Sequence, residues 1–282
     1  MIRRDRIGAV LVLAVISLPV VIGFGYSALA SVDMAGPGAS GFTLQSVLNV
    51  GRDATTWRSV AWTLWTSVIA TAVAAVLAIE VSIRVPRDRP VVSVLLAPLA
   101  VPHVGAALAF LLLLSQGGML SRIAFAVHLT GTPADFPVMV GDVAGFGFIS
   151  AAVWKEFPFL LLVALAASAQ KIPLSIEAAR TLGASPSAIR RRIVRPLLWR
   201  AIAPALVAVF AFLLGQYDMA TLLAPTQPTA LSLLTMERWS NSDLSRRGEA
   251  HVLGLIAFAM VAGAVAWQVV VRRHTDATST AS

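Results

Sequence analysis

Residues 59–79 read SVAWTLWTSVIATAVAAVLAI, without one charged side chain before Glu80. A helix needs about 20 mainly apolar residues to cross the hydrocarbon core of a bilayer. This stretch has that length, and five others come close. Ile7 to Ala30 is free of charge. Pro90 to Ser121 is too, but it is too long for one helix, so the spacing places a span near 92–114. A fourth span is expected near 145–169, interrupted by Lys155-Glu156, and a fifth near 200–223, containing Asp218. The sixth runs from about Val252 to Val271. The expected fold is all-α, a polytopic membrane protein of six helices.

Composition agrees. Of 282 residues, 57% are apolar and 13% charged, against about 45–50% and about 25% in soluble domains. That excludes an ordinary soluble enzyme and a disordered chain. With no cysteine, disulfides, thiolate metal sites and cysteine nucleophiles are excluded as well. The first span has a rival reading, because Arg3, Arg4 and Arg6 precede it and Ala28-Leu29-Ala30 looks like a signal-peptidase site. Its apolar run exceeds the roughly 7–15 residues of a signal peptide, so an uncleaved helix is expected.

The net charge of +8 is explained by topology. Most Lys and Arg fall in alternate gaps: Arg3, Arg4 and Arg6 at the start, Arg84, Arg87 and Arg89 in the second gap, seven between Lys171 and Arg200, and Arg272 and Arg273 in the tail. Cytoplasmic loops carry such an excess. The alternation places both termini in the cytosol. It is not the footprint of a nucleic-acid partner. The expected organisation is a first helix and outer loop (1–56), a five-helix core (57–271) with a cytosolic loop at 170–198, and a disordered tail (272–282). The outer gaps at 31–56, 115–144 and 224–249 are rich in small, polar or Pro residues and read as loops with room for short surface helices.

Catalytic signatures are missing. The two lysines, followed by Glu156 and Ile172, fit no phosphate-binding Gly-x4-Gly-Lys-Ser/Thr. His103, His128, His251 and His274 have no ligand spacing. No metal site, no cofactor and no enzymatic activity are expected of this chain.

The cytosolic loop is the most informative segment. Pro173 suits a first helical position, and Ser175 to Leu182 reads as helical. Gly183 ends that helix, since glycine accepts the left-handed conformation of a helix stop. Ser185 serves as N-cap and Pro186 as first position of a second helix. Ile189 and Ile193 share a face of it, and Pro196 stops or kinks it. Such an arginine-rich element could also lie on anionic lipid. However, Glu177-Ala178-Ala179, then Gly183, then Ile193 and Pro196 resemble the Glu-Ala-Ala loop of permease subunits of binding-protein-dependent (type I) ABC importers. The family pattern is Glu-Ala-Ala, three residues, Gly, nine residues, Ile-x-Leu-Pro. The spacing holds throughout, and only the Leu is replaced, by Arg195.

The resemblance covers roughly 55–270 and has definite implications. The loop becomes a coupling helix seated on a separate ATP-binding cassette ATPase dimer, which itself binds ATP and Mg. Glu177 orients the loop, Ala178 and Ala179 allow close approach, and Gly183 makes the turn. The chain forms half of a translocation pore, completed by a second permease subunit, and an extracytoplasmic solute-binding protein delivers cargo. Gly215-Gln216-Tyr217-Asp218 with Leu222-Leu223-Ala224 resembles the branch that handles polyamines, thiamine, ferric iron and phosphonates.

Ionisable groups within a membrane cost roughly 2.5–3.5 kcal/mol on insertion scales and usually face a cavity or a partner. Asp218, Gln216 and His103 are therefore expected to face the translocation path, His103 beside the helix-breaking Pro98 and Pro102. Lys155 and Glu156 are path candidates as well. Neighbouring residues point about 100° apart on a helix, so each is expected to find its partner on another helix. Glu80 is expected to interact with the Arg84–Arg89 cluster. An anionic Asp218 would favour an organic cation, polyamine- or thiamine-like. The alternatives are an ion-coupled secondary transporter, which would often show more helices and internal symmetry, and a membrane-embedded enzyme.

Overall fold

The computed structural model describes residues 2–37, 39–85 and 90–279. Arg87, Arg89 and residues 280–282 lie outside them. Every regular element among the described residues is helical. In chain order these are α1 (Ile2–Ser31), α2 (Gln45–Arg52), α3 (Ala54–Arg84), α4 (Pro90–Leu96), a 3-10 turn (Ala97–Ala100), α5 (His103–Leu114) and α6 (Met119–Ala126). After a short 3-10 turn at Pro133–Asp135 come α7 (Phe146–Thr181), α8 (Pro186–Ile189), a π-helical turn (Arg190–Val194), α9 (Arg195–Leu214), α10 (Asp218–Leu223), α11 (Leu231–Trp239) and α12 (Arg246–Ser279). Among the described residues, six segments are long and apolar enough to cross a membrane: Val12–Ser31, Ala54–Arg84, His103–Ala126, Phe146–Ser168, Pro186–Leu214 and Arg246–Val271. The all-α, six-span expectation holds.

Three boundaries differ from the sequence reading. The third span does not start at 92. Val101 is extended because the α conformation is disfavoured before a proline, and Pro102 has no N–H to continue the ladder. The fifth span ends at Leu214, so Asp218 opens a separate short helix. The last helix runs to Ser279, into the segment read as an irregular tail. That stretch contains neither Gly nor Pro.

The chain forms two compact units. One comprises Met1–Trp57 with Leu233–Met260. Its hub is Arg238, whose guanidinium sits 2.9 Å from Asp53 and 3.5 Å from Glu249. Asn49 donates to the same Glu249 at 3.1 Å. His251 approaches the Ser27 hydroxyl at 3.2 Å and lies edge-on to Tyr26 and Trp239. The side chains of Val12, Leu13, Val15, Ile16 and Leu18 on α1 stay exposed, as a helix bathed in lipid requires.

The other unit comprises Arg58–Ser232 with Val261–Ser282. Here α3 presents Ala70, Ala74 and Ala78, all fully buried, one helical turn apart. Small residues at that spacing let helix backbones approach closely. The loop entering α7 is fastened to α3 by two indoles: Trp62 Nε1 donates to the Val143 carbonyl at 3.0 Å, and Trp65 Nε1 to that of Ala144 at 3.1 Å. Gly145 follows with φ +77°, and Asp142 accepts the Phe146 N–H at 3.0 Å to cap α7.

Candidate functional site

Two places carry the sequence candidates: the hairpin after α7 and the polar cluster around the proline break.

The hairpin differs from the expected pair of separate helices. α7 continues without interruption from the membrane span through Pro173 to Thr181, so its first limb is the end of the fourth span. The stop is as expected. Gly183 has φ +79°, its N–H donates to Arg180 at 2.9 Å, and the Ala184 N–H donates to Ala179 at 3.0 Å. These two bonds close the Schellman motif around a glycine in the left-handed conformation. Ser185 Oγ then accepts the Ala188 N–H at 3.3 Å, with Pro186 at the first helical position.

The second limb departs again. Pro196 does not stop the helix. It lies in the first turn of α9, directly after the π-helical turn at Arg190–Val194. A proline ring clashes with the carbonyl four residues back, and a widened turn makes room there. The extra residue in that turn shifts the buried face. Ile189, Val194 and Leu198 are buried, whereas Ile193 is only half-buried. The Ile189/Ile193 stripe expected from a regular period is replaced by Ile189/Val194/Leu198. Glu177, Ala178, Arg180 and Gly183 are exposed, Ala179 is buried, and Leu182 at the tip is 87% exposed. A cavity of about 320 Å³ lies beneath the hairpin, lined in part by Ser82, Ile83, Ser168, Ile189, Arg190 and Leu198. Glu80 meets Arg84 at 2.8 Å, as expected, but it also pairs with Arg195.

The polar cluster is built on the break between the 3-10 turn and α5. Pro102 cannot supply the N–H that would meet the Pro98 carbonyl in a continuous helix, and the Val101 N–H donates to it instead at 3.1 Å. The Lys155 ammonium reaches that carbonyl at 3.0 Å and the Leu99 carbonyl at 3.4 Å. Glu156, one residue on, meets His103 Nε2 at 3.1 Å, and the His103 ring packs on Phe212 of α9 at 4.8 Å between centroids. Lys155 and Glu156 are only 6% and 7% exposed. Each has its partner on a neighbouring segment, as their angular separation required. The cluster thus fastens α7 to both sides of the break. A buried charge without such partners would be strongly destabilising.

Gln216 and Asp218 sit in the break between α9 and α10 and are not joined to this cluster by any hydrogen bond or ion pair described above. Gln216 is buried. Its carbonyl accepts from Ser232 Oγ at 3.1 Å, while its amide Nε2 has no partner. Asp218 is exposed at the first position of α10, outside the membrane span. An acidic residue suits a helix start. Among the described residues, no group of three His, Asp or Glu could hold a metal.

Sequence reasoning missed a groove of about 950 Å³ among α3, α9 and α12. Trp199, Arg200, Phe210, Trp267 and Gln268 help line it, and none of the five path candidates does. The one available signal was Gln268, a lone amide in the sixth span.

Comparison with known proteins gives a consistent picture. The family described as "Binding-protein-dependent transport system inner membrane component" matches residues 70–274. The inner membrane ABC transporter permease protein YnjC of Escherichia coli (strain K12) is 27% identical over 171 residues, 59% of this chain. The match spans only 31% of that relative's length. A bacterial ABC transporter involved in the import of the acidic polysaccharide alginate shares the fold, with TM-score 0.66, 19% identity, and 95% of this chain and 98% of that one covered. A bacterial alginate ABC transporter in complex with its alginate pentasaccharide-bound periplasmic protein gives TM-score 0.67 at 18% identity, covering 95% and 94%. At those identities the likeness concerns the fold alone, and alginate is a different solute class from the polyamine branch.

Proposed function

Because this chain belongs to the family of binding-protein-dependent transport system inner membrane components, a multi-pass component of the inner membrane and not an enzyme, we propose that it is the permease subunit of an ATP-driven importer and that the hairpin Glu177–Pro196 is its contact with a separate ATPase dimer. The observation that carries this reading is the hairpin itself. It leaves the bundle as a direct extension of α7, turns sharply at Gly183, and exposes Glu177 and Leu182 while burying Ile189, Val194 and Leu198. Its outer face offers an acidic group and a large apolar tip with no described partner in the chain.

In this reading both termini lie in the cytosol with the hairpin, and the ATPase binds ATP and Mg. A second permease subunit, a copy or a relative, completes the pore. A solute-binding protein docks on the opposite side, where the loops around 127–143 carry exposed apolar side chains such as Leu129, Val138 and Val143. The unpaired amide of Gln216, buried where α9 breaks, is the path candidate left free to meet a solute. Lys155, Glu156 and His103 hold the break in shape. With Asp218 outside the span, an organic-cation cargo rests on the loose Gly215–Asp218 resemblance alone.

The test is co-purification of the full chain with its ATPase and measurement of ATP hydrolysis in proteoliposomes. Glu177→Ala and Gly183→Pro are expected to lose ATPase association while leaving helical content unchanged. Proline's φ near −65° cannot adopt the +79° of position 183. Undiminished association in both variants overturns the assignment.

A further inference from the structure

The limbs of the hairpin reach the bundle differently. One limb is α7. The other leaves through the π-helical turn into α9. α3 is continuous with neither, yet near its end a side chain is ion-paired to the hairpin. Glu80, one turn before the end of α3, holds Arg84 at 2.8 Å with Oε2 and Arg195 with Oε1. Arg195 is the first residue of α9, at the exit of the π-helical turn, and it stands where the resembled motif has Leu. Its contact with Glu80 is directional and joins residues far apart in the chain. The Glu80 side chain is 21% exposed and that of Arg195 is 44% exposed. Ion pairs this open to solvent add little to stability, so the pair is poorly placed as a device for holding the fold. Its geometry suits holding a position.

We propose that Glu80 is a positioning residue that ties the hairpin's outgoing limb to α3, so that a displacement of the hairpin by its ATPase carries α3 along with α7. This rests on the reading of the hairpin as the ATPase contact. Arg84 is a subsidiary partner on the same helix. It steadies the Glu80 carboxylate but does not itself reach the hairpin.

The chain has no cysteine, so two can be introduced at will. Spin labels at Leu77→Cys, one turn before Glu80 on α3, and Leu162→Cys on α7, both exposed and away from the Trp62 and Trp65 bonds that clamp the opposite ends of the two helices, report the separation of the two helices by pulsed electron resonance. The sample is the complex with its ATPase, with and without MgATP and vanadate. With the tie present, the ATP-dependent change in that distance is expected to be small. In Glu80→Gln and in Arg195→Gln it should grow several-fold, because α7 moves and α3 no longer follows. Arg84→Ala should behave like the parent. The reversed pair, Glu80→Arg with Arg195→Glu in the Arg84→Ala background, should restore the small change. An unaltered distance response in both Gln variants, or a reversed pair that fails to restore it, overturns the tie. The two readings fail separately. If the parent chain does not hold its ATPase, or holds it equally well with Glu177→Ala and Gly183→Pro, the hairpin assignment falls. If the parent holds the ATPase and the Gln variants respond as it does, only the tie falls.

Discussion

Gly145 and Gly183 form a matched pair that separates backbone strain from crowding. Their φ angles are +77° and +79°, so an alanine at either position meets the left-handed penalty of roughly 1–2 kcal/mol. Their surroundings are opposite. A Cβ at Gly183 would have nothing within 4 Å, whereas one at Gly145 would lie 2.6 Å from Thr66 Cγ2 and 3.3 Å from Trp62 Cζ2. Overpacking a fitted site costs about 1–3 kcal/mol. Gly183→Ala should therefore destabilise by about 1–2 kcal/mol and Gly145→Ala by about 2–5 kcal/mol. The crowding share should be recoverable. Thr66→Ser removes the offending methyl and keeps the hydroxyl that donates to the Trp62 carbonyl at 2.9 Å. In the Gly145→Ala background it should return stability toward the Gly183→Ala level. Unfolding in mixed micelles, followed by tryptophan fluorescence, measures the three variants against the parent, and Trp62 beside Gly145 is a built-in reporter. Equal losses at the two glycines, or no recovery with Thr66→Ser, would refute the reasoning.

Two further outcomes are expected. Lys155→Met should cost about 1–3 kcal/mol by leaving the Leu99 carbonyl without its ammonium donor, while the Pro98 carbonyl keeps the Val101 N–H at 3.1 Å. Glu156→Gln should cost less, because the amide can still hydrogen-bond His103; the same micelle titration ranks them. Asp135 is held below the usual carboxylate range by the Thr132 N–H and then by the Thr132 hydroxyl. A depressed folded-state value means that its contribution is present above the unfolded-state pKa and is lost as pH falls through the lowered value. Proteolysis of the 131–136 loop should accelerate on acidification through that window, and Asp135→Asn should remove the step.

What the sequence revealed was mainly local. Long apolar runs showed the six spans, Gly183 and Ser185 announced a stop and a start, and the adjacency of Lys155 and Glu156 implied separate partners. The failures were of two kinds. Pro173 looked like a helix start, yet a helix tolerates a proline when the flanking turns are well formed, and nothing local distinguishes the two cases. Ile193 looked like a partner for Ile189 until a π-helical turn moved the buried face to Val194, a change of period that side-chain types do not encode. Asp218 was counted inside a span because Gly215 was read through and not as an end. Arg195 looked like a lost apolar contact because its partner, Glu80, lies far away in the sequence.

The unbroken course of α7 has a mechanical consequence. Glu156 and Glu177 are 21 residues apart on one helix, which places them about 30 Å apart along its axis and within roughly a sixth of a turn of each other around it. On the proposed reading of the hairpin as the ATPase contact, torque applied there arrives beside the His103 break with its phase nearly preserved. The shaft also has two soft points, since Pro158 and Pro173 each delete a backbone bond. Bending is therefore easiest next to the hairpin and next to the His103 break.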